Sequence, residues 1–91
     1  MQKKRERLEI INDILDIIHS HNNSIKPTPL LRFSNMSTQR FNEYYAELMD
    51  KGLIREGNDK KGRKYITLTD KGLRFLQKYR QIVGFVDEFD L

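Results

Sequence analysis

The chain has 91 residues, 37% hydrophobic and 33% charged, with a formal net charge of +4 and no cysteine. That length supports one domain with a modest core, and the missing cysteine excludes a disulfide framework, a thiolate nucleophile and a thiolate zinc site. No apolar run approaches the ~18 to 20 residues of a membrane span, and the charged N-terminus lacks the apolar stretch of a signal peptide, so a soluble, cytoplasmic protein is expected.

Residues 5–20 read as a first helix. Ile10, Ile14, Ile17 and Ile18 fall on one side, and Leu8, Ile11, Leu15 and Ile18 on the adjoining side, a stripe wide enough to be covered on more than one face. Asn22, Asn23 and Ser24 break the pattern. Ile25-Lys26 can form a very short strand. Pro27 disfavours helix before it, so Thr28 is expected to cap a short second helix over 29–33, with Pro29 at its first position. Leu30, Leu31 and Phe33 would be its apolar contacts. Ser34, Asn35 and Met36 make the turn.

Ser37 is expected to cap a third helix ending near Lys51. Met36 before the cap and Phe41 after it have the spacing of a hydrophobic staple. Phe41, Tyr45, Leu48 and Met49 line its inward face, leaving Thr38, Gln39, Arg40, Asn42, Glu43 and Tyr44 exposed near its start. Gly52 suits the left-handed residue after a helix. Leu53 and Ile54 open a strand, and the loop 57–64 is charged and bounded by glycines that let it turn. Ile66 and Leu68 share one face of the returning strand, with Tyr65 and Thr67 on the other. Thr69 caps a last helix, with Leu68 and Leu73 as a second staple. Along that helix Phe75, Tyr79, Ile82, Val86 and Phe89 recur at heptad spacing, and Gly84 weakens it by ~1 kcal/mol relative to alanine.

The fold class expected is mainly α with a small β-hairpin: a winged helix-turn-helix with an extra C-terminal helix. Residues 1–74 would be the winged-helix body and 75–91 a dimerisation helix continuous with it. In this module one helix enters the major groove and a hairpin tip touches the backbone beside it. Charge fits a polyanion partner. Asp87, Glu88 and Asp90 close the chain, so the residues before them hold +7. That charge gathers at Lys3, Lys4, Arg5 and Arg7 and in the loop from 60 to 64.

The candidate DNA-binding residues follow. Arg40 can fork onto guanine and Gln39 or Asn42 onto adenine. Ser37, Thr38 and Tyr44 can bond phosphate oxygens. Lys60, Lys61, Arg63 and Lys64 on the wing can reach phosphates or a minor groove. The N-terminal basic cluster is a phosphate-binding arm or a frayed tail. Glu43 and Glu47, if they face DNA, lower non-specific affinity or read cytosine N4. The candidate dimer seam is Phe75, Tyr79, Ile82, Val86 and Phe89; in a monomer the same seam would pack on the chain's own domain instead.

His19 and His21 lack the carboxylate or thiol neighbours of a metal site, so no metal and no cofactor are expected. No spacing suggests catalysis, and an enzyme is not expected. No small-molecule effector is evident. The competing reading is a winged-helix protein-docking module that does not bind DNA, because fold does not fix function.

Several motifs carry a family likeness: "RLEIINDIL" in the first helix, "PT" and "NMS" around the turn, "FNEYYAELMDKGLI", and "KYITLTDKGLRFLQKY". With these, the run 28–79 resembles the archaeal winged-helix dimers typified by the abundant ten-kilodalton DNA-binding proteins of thermophilic archaea. Residues 41–76 are also similar to many bacterial and archaeal winged-helix regulators. The resemblance implies a winged-helix body, a C-terminal helix that pairs antiparallel with its twin, and duplex DNA binding in a nucleoid-associated or regulatory role. The acidic, apolar ending from Val86 to Leu91 departs from the pattern and favours a short helix pair over a long coiled coil.

Overall fold

The computed structural model describes residues 2–91, and the side chains of the first helix from Glu6 onward. The elements in order are α1 (Gln2–Ser20), α2 (Pro27–Ser34), α3 (Thr38–Asp50), β1 (Ile54–Asn58), β2 (Lys64–Leu68) and α4 (Asp70–Glu88). This is the four-helix winged helix with a C-terminal helix that the sequence leads one to expect.

The core forms where the four apolar stripes meet the hairpin. Ile14, Leu15 and Ile18 of α1, Leu30 of α2, Leu48 of α3 and Ile66 of β2 are fully buried. Both stripes of α1 are used: Ile11 joins the buried set, while Ile10 and Ile17 pack against it. Leu8 stays exposed. Each fully buried aliphatic side chain is worth about 1.5–3 kcal/mol relative to exposure.

Chain reversals are held by side chains that satisfy backbone groups. Asn22 and Asn23 both take the left-handed conformation after α1, and Asn23 Oδ1 accepts from the Leu68 N–H at 2.7 Å. Ile25 then makes an isolated antiparallel bridge to Ile66, with bonds of 3.1 and 2.7 Å in the two directions. The short strand expected at Ile25 is thus a single rung on the outer side of β2.

The second helix begins two residues earlier than expected. Lys26 is its cap, Thr28 is inside, and no side chain closes the N-terminus. Pro27 takes the first position itself, where its fixed φ is already helical and its missing N–H costs nothing. Pro29 falls in the same first turn, whose amides have no helical partners either. Phe33, expected as an apolar contact, is exposed. Its ring lies 5.2 Å from that of His21 and 5.5 Å from the Arg32 guanidinium.

Ser37 caps α3 by accepting from the Arg40 N–H, and Met36 and Phe41 flank that cap as a staple packed on the core. Met49 falls at the rim of the inward face rather than in it. The phenol of Tyr45 donates to Glu56 on β1 and ties the helix to the hairpin. Burial, then the Glu56 carboxylate, holds Tyr45 neutral well above its ordinary titration range. Gly52 follows α3 with φ of +71°.

The hairpin is antiparallel with Ile54 opposite Leu68 and Gly57 opposite Tyr65. Gly57 therefore sits in β1 and does not make the turn. A Cβ there would meet the Tyr65 ring at 2.6 Å, so its hydrogen leaves room for the aromatic ring. The turn is made at Gly62, with φ of +77°. Thr69 caps α4 by accepting from the Gly72 N–H, and Gly72 lets α4 approach so closely that a Cβ would lie 2.2 Å from the Leu53 carbonyl oxygen. From there α4 is continuous through Gly84, whose surroundings are open.

Candidate nucleic-acid interface

Three elements build the candidate surface: the turn after α2, the start of α3 and the hairpin tip. Asn35 caps α2 in the left-handed conformation, which swings the chain sharply into Ser37. The first amides of α3 then have no helical partners of their own and carry the positive end of the helix dipole. Ser37 Oγ accepts from the Arg40 amide at 3.2 Å, which leaves its hydroxyl proton free to donate. Thr38, Gln39, Arg40, Asn42 and Glu43 are all exposed, whereas Tyr44 is half-buried and packs against the core.

Arg40 is not idle. One of its terminal nitrogens donates to Glu6 Oε1 of α1 at 3.0 Å. The Glu6 carboxylate, with a further contribution from Tyr44, holds the guanidinium cation firmly protonated. Beside it Arg7 forks onto Glu47, one arm at 2.7 Å and the other to the second carboxylate oxygen. Lys51 lies 3.6 Å from the same carboxylate. Glu47 is therefore neutralised within the protein, while Glu43 is exposed in the middle of the outer face. Arg7 spends its charge here, and the side chains of Lys3, Lys4 and Arg5 lie outside the described residues.

The wing divides its cations into two kinds. Asp59 Oδ1 accepts from the Lys61 and Arg63 amides, each at 2.9 Å, and Oδ2 accepts from Arg63 Nε at 3.1 Å. Lys26 Nζ stands 3.5 Å from the same Oδ2. These bonds, the Arg63 amide first, hold the Asp59 carboxyl below its ordinary range. Gly62 closes the turn by donating its amide to the Asp59 carbonyl at 2.9 Å. Lys64 lies 3.6 Å from Glu56. Among the described residues, Lys60 and Lys61 have no ion pair and are fully on the surface. Of the four wing cations expected to reach phosphate, two are thus already paired and two stand free at the tip.

The expected dimer seam divides as well. Phe75 packs on the chain's own core, and Tyr79 and Val86 are half-buried, but Ile82 and Phe89 are each 56% exposed. Val83 and Phe85 extend this apolar surface beyond the heptad positions, and the Phe85 and Phe89 rings lie 5.0 Å apart. Leu8 of α1 joins Tyr79, Ile82, Val83 and Val86 around a groove of about 620 Å³. Leu8 and Phe85 escape a heptad count because one is on another helix and the other is a flanking position. Of the histidines, His21 Nδ1 lies 2.8 Å from the Ile17 carbonyl oxygen. Among the described residues no helix is long and apolar enough to cross a membrane.

A helix-turn-helix feeding a two-stranded wing, with a further helix behind it, defines a winged-helix protein. The sequence model for the winged helix-turn-helix family matches residues 4–85, and the chain belongs to that family. No curated protein matches it in sequence. Solved structures share its fold at low identity. A mutant of MepR from S. aureus superposes with a TM-score of 0.80 at 18% identity, covering 97% of this chain and 71% of that one. The oxidised form of MarR from E. coli gives 0.72 at 22%, covering 91% and 68%. A MarR-family transcriptional regulator from Silicibacter pomeroyi gives 0.69 at 19%, covering 96% and 57%.

Proposed function

We propose that the protein is a homodimeric duplex-DNA-binding protein, a transcriptional regulator or chromatin-associated factor, with the start of α3 in the major groove and the wing tip on the backbone. The single observation that carries this is the pair of unpaired lysines, Lys60 and Lys61, at the tip of a turn rigidified by Asp59. A cationic point on a rigid arm, in a fold that also exposes a helix N-terminus, suits a phosphate backbone. In this reading Ser37 and Thr38 bond phosphate, Gln39, Arg40 and Asn42 face base edges, and Tyr44 steadies Arg40. Arg63 and Lys64 shape the wing more than they bind. The family and the regulators that share the fold support the reading, and a nucleoid location follows from it.

The dimer would use α4. Its start carries Lys71, Arg74 and Lys78, and its end Asp87, Glu88 and Asp90. An antiparallel pair sets the basic start of one copy against the acidic end of its twin, whereas a parallel pair sets like against like. The exposed Ile82, Phe85 and Phe89 supply the apolar surface such a pair buries, larger patches of this kind being typical of interaction sites. The division at residue 74 is then one of role, with 1–74 as the DNA-binding body. The pairing is like that of the archaeal ten-kilodalton dimers to which the sequence bears resemblance.

Exposed Glu43 on the outer face of α3 favours the second reading, a docking module for another protein. Fluorescence anisotropy on a random duplex of about 20 base pairs, two helical turns, separates the two across a salt series. Binding that weakens steeply with salt is expected, and no binding at low salt would transfer the weight to protein docking.

A further inference from the structure

We infer that Glu6 is a built-in competitor for DNA: it occupies the guanidinium of Arg40 in the free protein and must be displaced before Arg40 reaches the duplex. The inference deepens the DNA-binding reading and rests on it. Glu6 and Arg40 are 34 residues apart, yet their side chains meet at 3.0 Å. The meeting is not a chance of one flexible pair. The next residue, Arg7, forks onto Glu47, which lies two turns further along the same side of α3, about 10 Å away at 1.5 Å per residue. Two neighbouring residues of α1, of opposite sign, thus grip two residues of opposite sign on α3. Arg7 holds α1 in place and Glu6 presents its carboxylate to the one arginine at the start of the helix.

The two pairs differ in how easily they part. The Glu47 side chain is 23% exposed, but those of Glu6 and Arg40 are 61% and 49% exposed. An exposed pair is worth roughly 0.2–1 kcal/mol, so phosphate or a guanine edge can take the place of Glu6 while the Arg7 fork stays closed. A carboxylate offers a guanidinium the same two-oxygen geometry as phosphate does. Glu6 is then an internal stand-in for the ligand, and non-specific DNA meets an Arg40 that is already satisfied.

The test is a double-mutant cycle of Glu6→Gln and Arg40→Gln, read by anisotropy on a random duplex over a salt series. Glu6→Gln alone is expected to tighten binding by about two- to five-fold at low salt, the worth of one exposed pair. The log–log salt slope should hardly change, because Arg40 reaches the duplex in both proteins and the count of phosphate contacts is the same. In the Arg40→Gln background the gain should not appear. An equal gain in both backgrounds would mean that Glu6 acts only as a negative charge near DNA and would overturn the inference. So would no gain, or a loss, in Glu6→Gln, which would mean that Arg40 binds with Glu6 still attached. Matching circular dichroism melts keep folding out of the comparison. If the unmodified protein binds no duplex at any salt, the DNA reading itself fails, a result distinct from the other two.

Discussion

The two kinds of wing cation make a quantitative prediction. Replacing Lys60 and Lys61 with alanine removes the two charges that stand free at the tip and touches none of the bonds that shape the turn, because Asp59 is held through the Lys61 amide and not its ammonium group. If each lysine neutralises one phosphate, the double variant loses about 1.8 from the log–log salt slope, at ~0.9 per contact. Over a fourfold rise in salt that slope accounts for about a 12-fold part of the wild-type loss of affinity. Stability should hold, since surface substitutions of this kind stay within about 0.5 kcal/mol. Arg63→Ala is the control. It removes one positive charge from the same loop, but a charge that Asp59 already engages at 3.1 Å, so the slope should change by less than about half a contact. The assay is anisotropy on a random duplex with the three proteins side by side. An equal slope change per charge removed at Arg63 and at the lysines would show that net charge alone matters, and would refute the division of the wing.

Other consequences follow from particular contacts. The two helical glycines of α4 should respond to alanine with opposite signs. Gly72→Ala places a methyl against the Leu53 carbonyl oxygen and should cost about 1–3 kcal/mol, lowering Tm by at least about 4 °C; an unchanged Tm would mean that the close approach relaxes freely. Gly84→Ala, in open space, should gain about 1 kcal/mol from helix propensity, read by the same melt. Tyr45 has its folded titration point raised above the ordinary value of 10.0 by burial and Glu56. Its contribution is therefore complete below that value and declines as pH rises beyond it. Tyr45→Phe should flatten the alkaline loss of Tm, and an identical alkaline limb would remove Tyr45 from its cause. Finally, Ile82→Asp with Phe85→Asp should convert a dimer to a monomer in sedimentation at micromolar concentration, and an unaltered mass would exclude this face from the pairing.

Most of the fold was legible because it is written in local rules. The Ser37 and Thr69 caps, the Met36–Phe41 staple, the left-handed Gly52 and the alternation of Ile66 and Leu68 each depend on residues within a few positions of one another. Where two local rules compete, the sequence alone does not decide between them. Thr28-Pro29 looked like a cap followed by a first-turn proline, but Pro27 meets the same requirement two residues earlier and starts the helix itself. Gly57 and Gly62 looked like equivalent hinges. Only the register shows that one lies across from an aromatic ring and the other makes the turn, and register depends on a partner strand.

The candidate site was legible in its residue types and illegible in its pairings. Arg40 and Lys60 are both exposed cations, and nothing local distinguishes them. Their states differ because α1 delivers Glu6 to Arg40, whereas the carboxylate at the wing tip, Asp59, turns inward to Arg63 and the loop amides. The same long-range placement changes the meaning of Glu47. On a helical wheel it is an anion on the same side of α3 as Arg40, and it would repel a phosphate backbone; with Arg7 forked onto it, it is an anchor that ties α1 to α3. Charge that a sequence reads as surface character is thereby split into charge that shapes the protein and charge that is available to a partner. On α3 and at the wing tip the available part is small: two lysines and one arginine, the arginine held by a carboxylate it can leave.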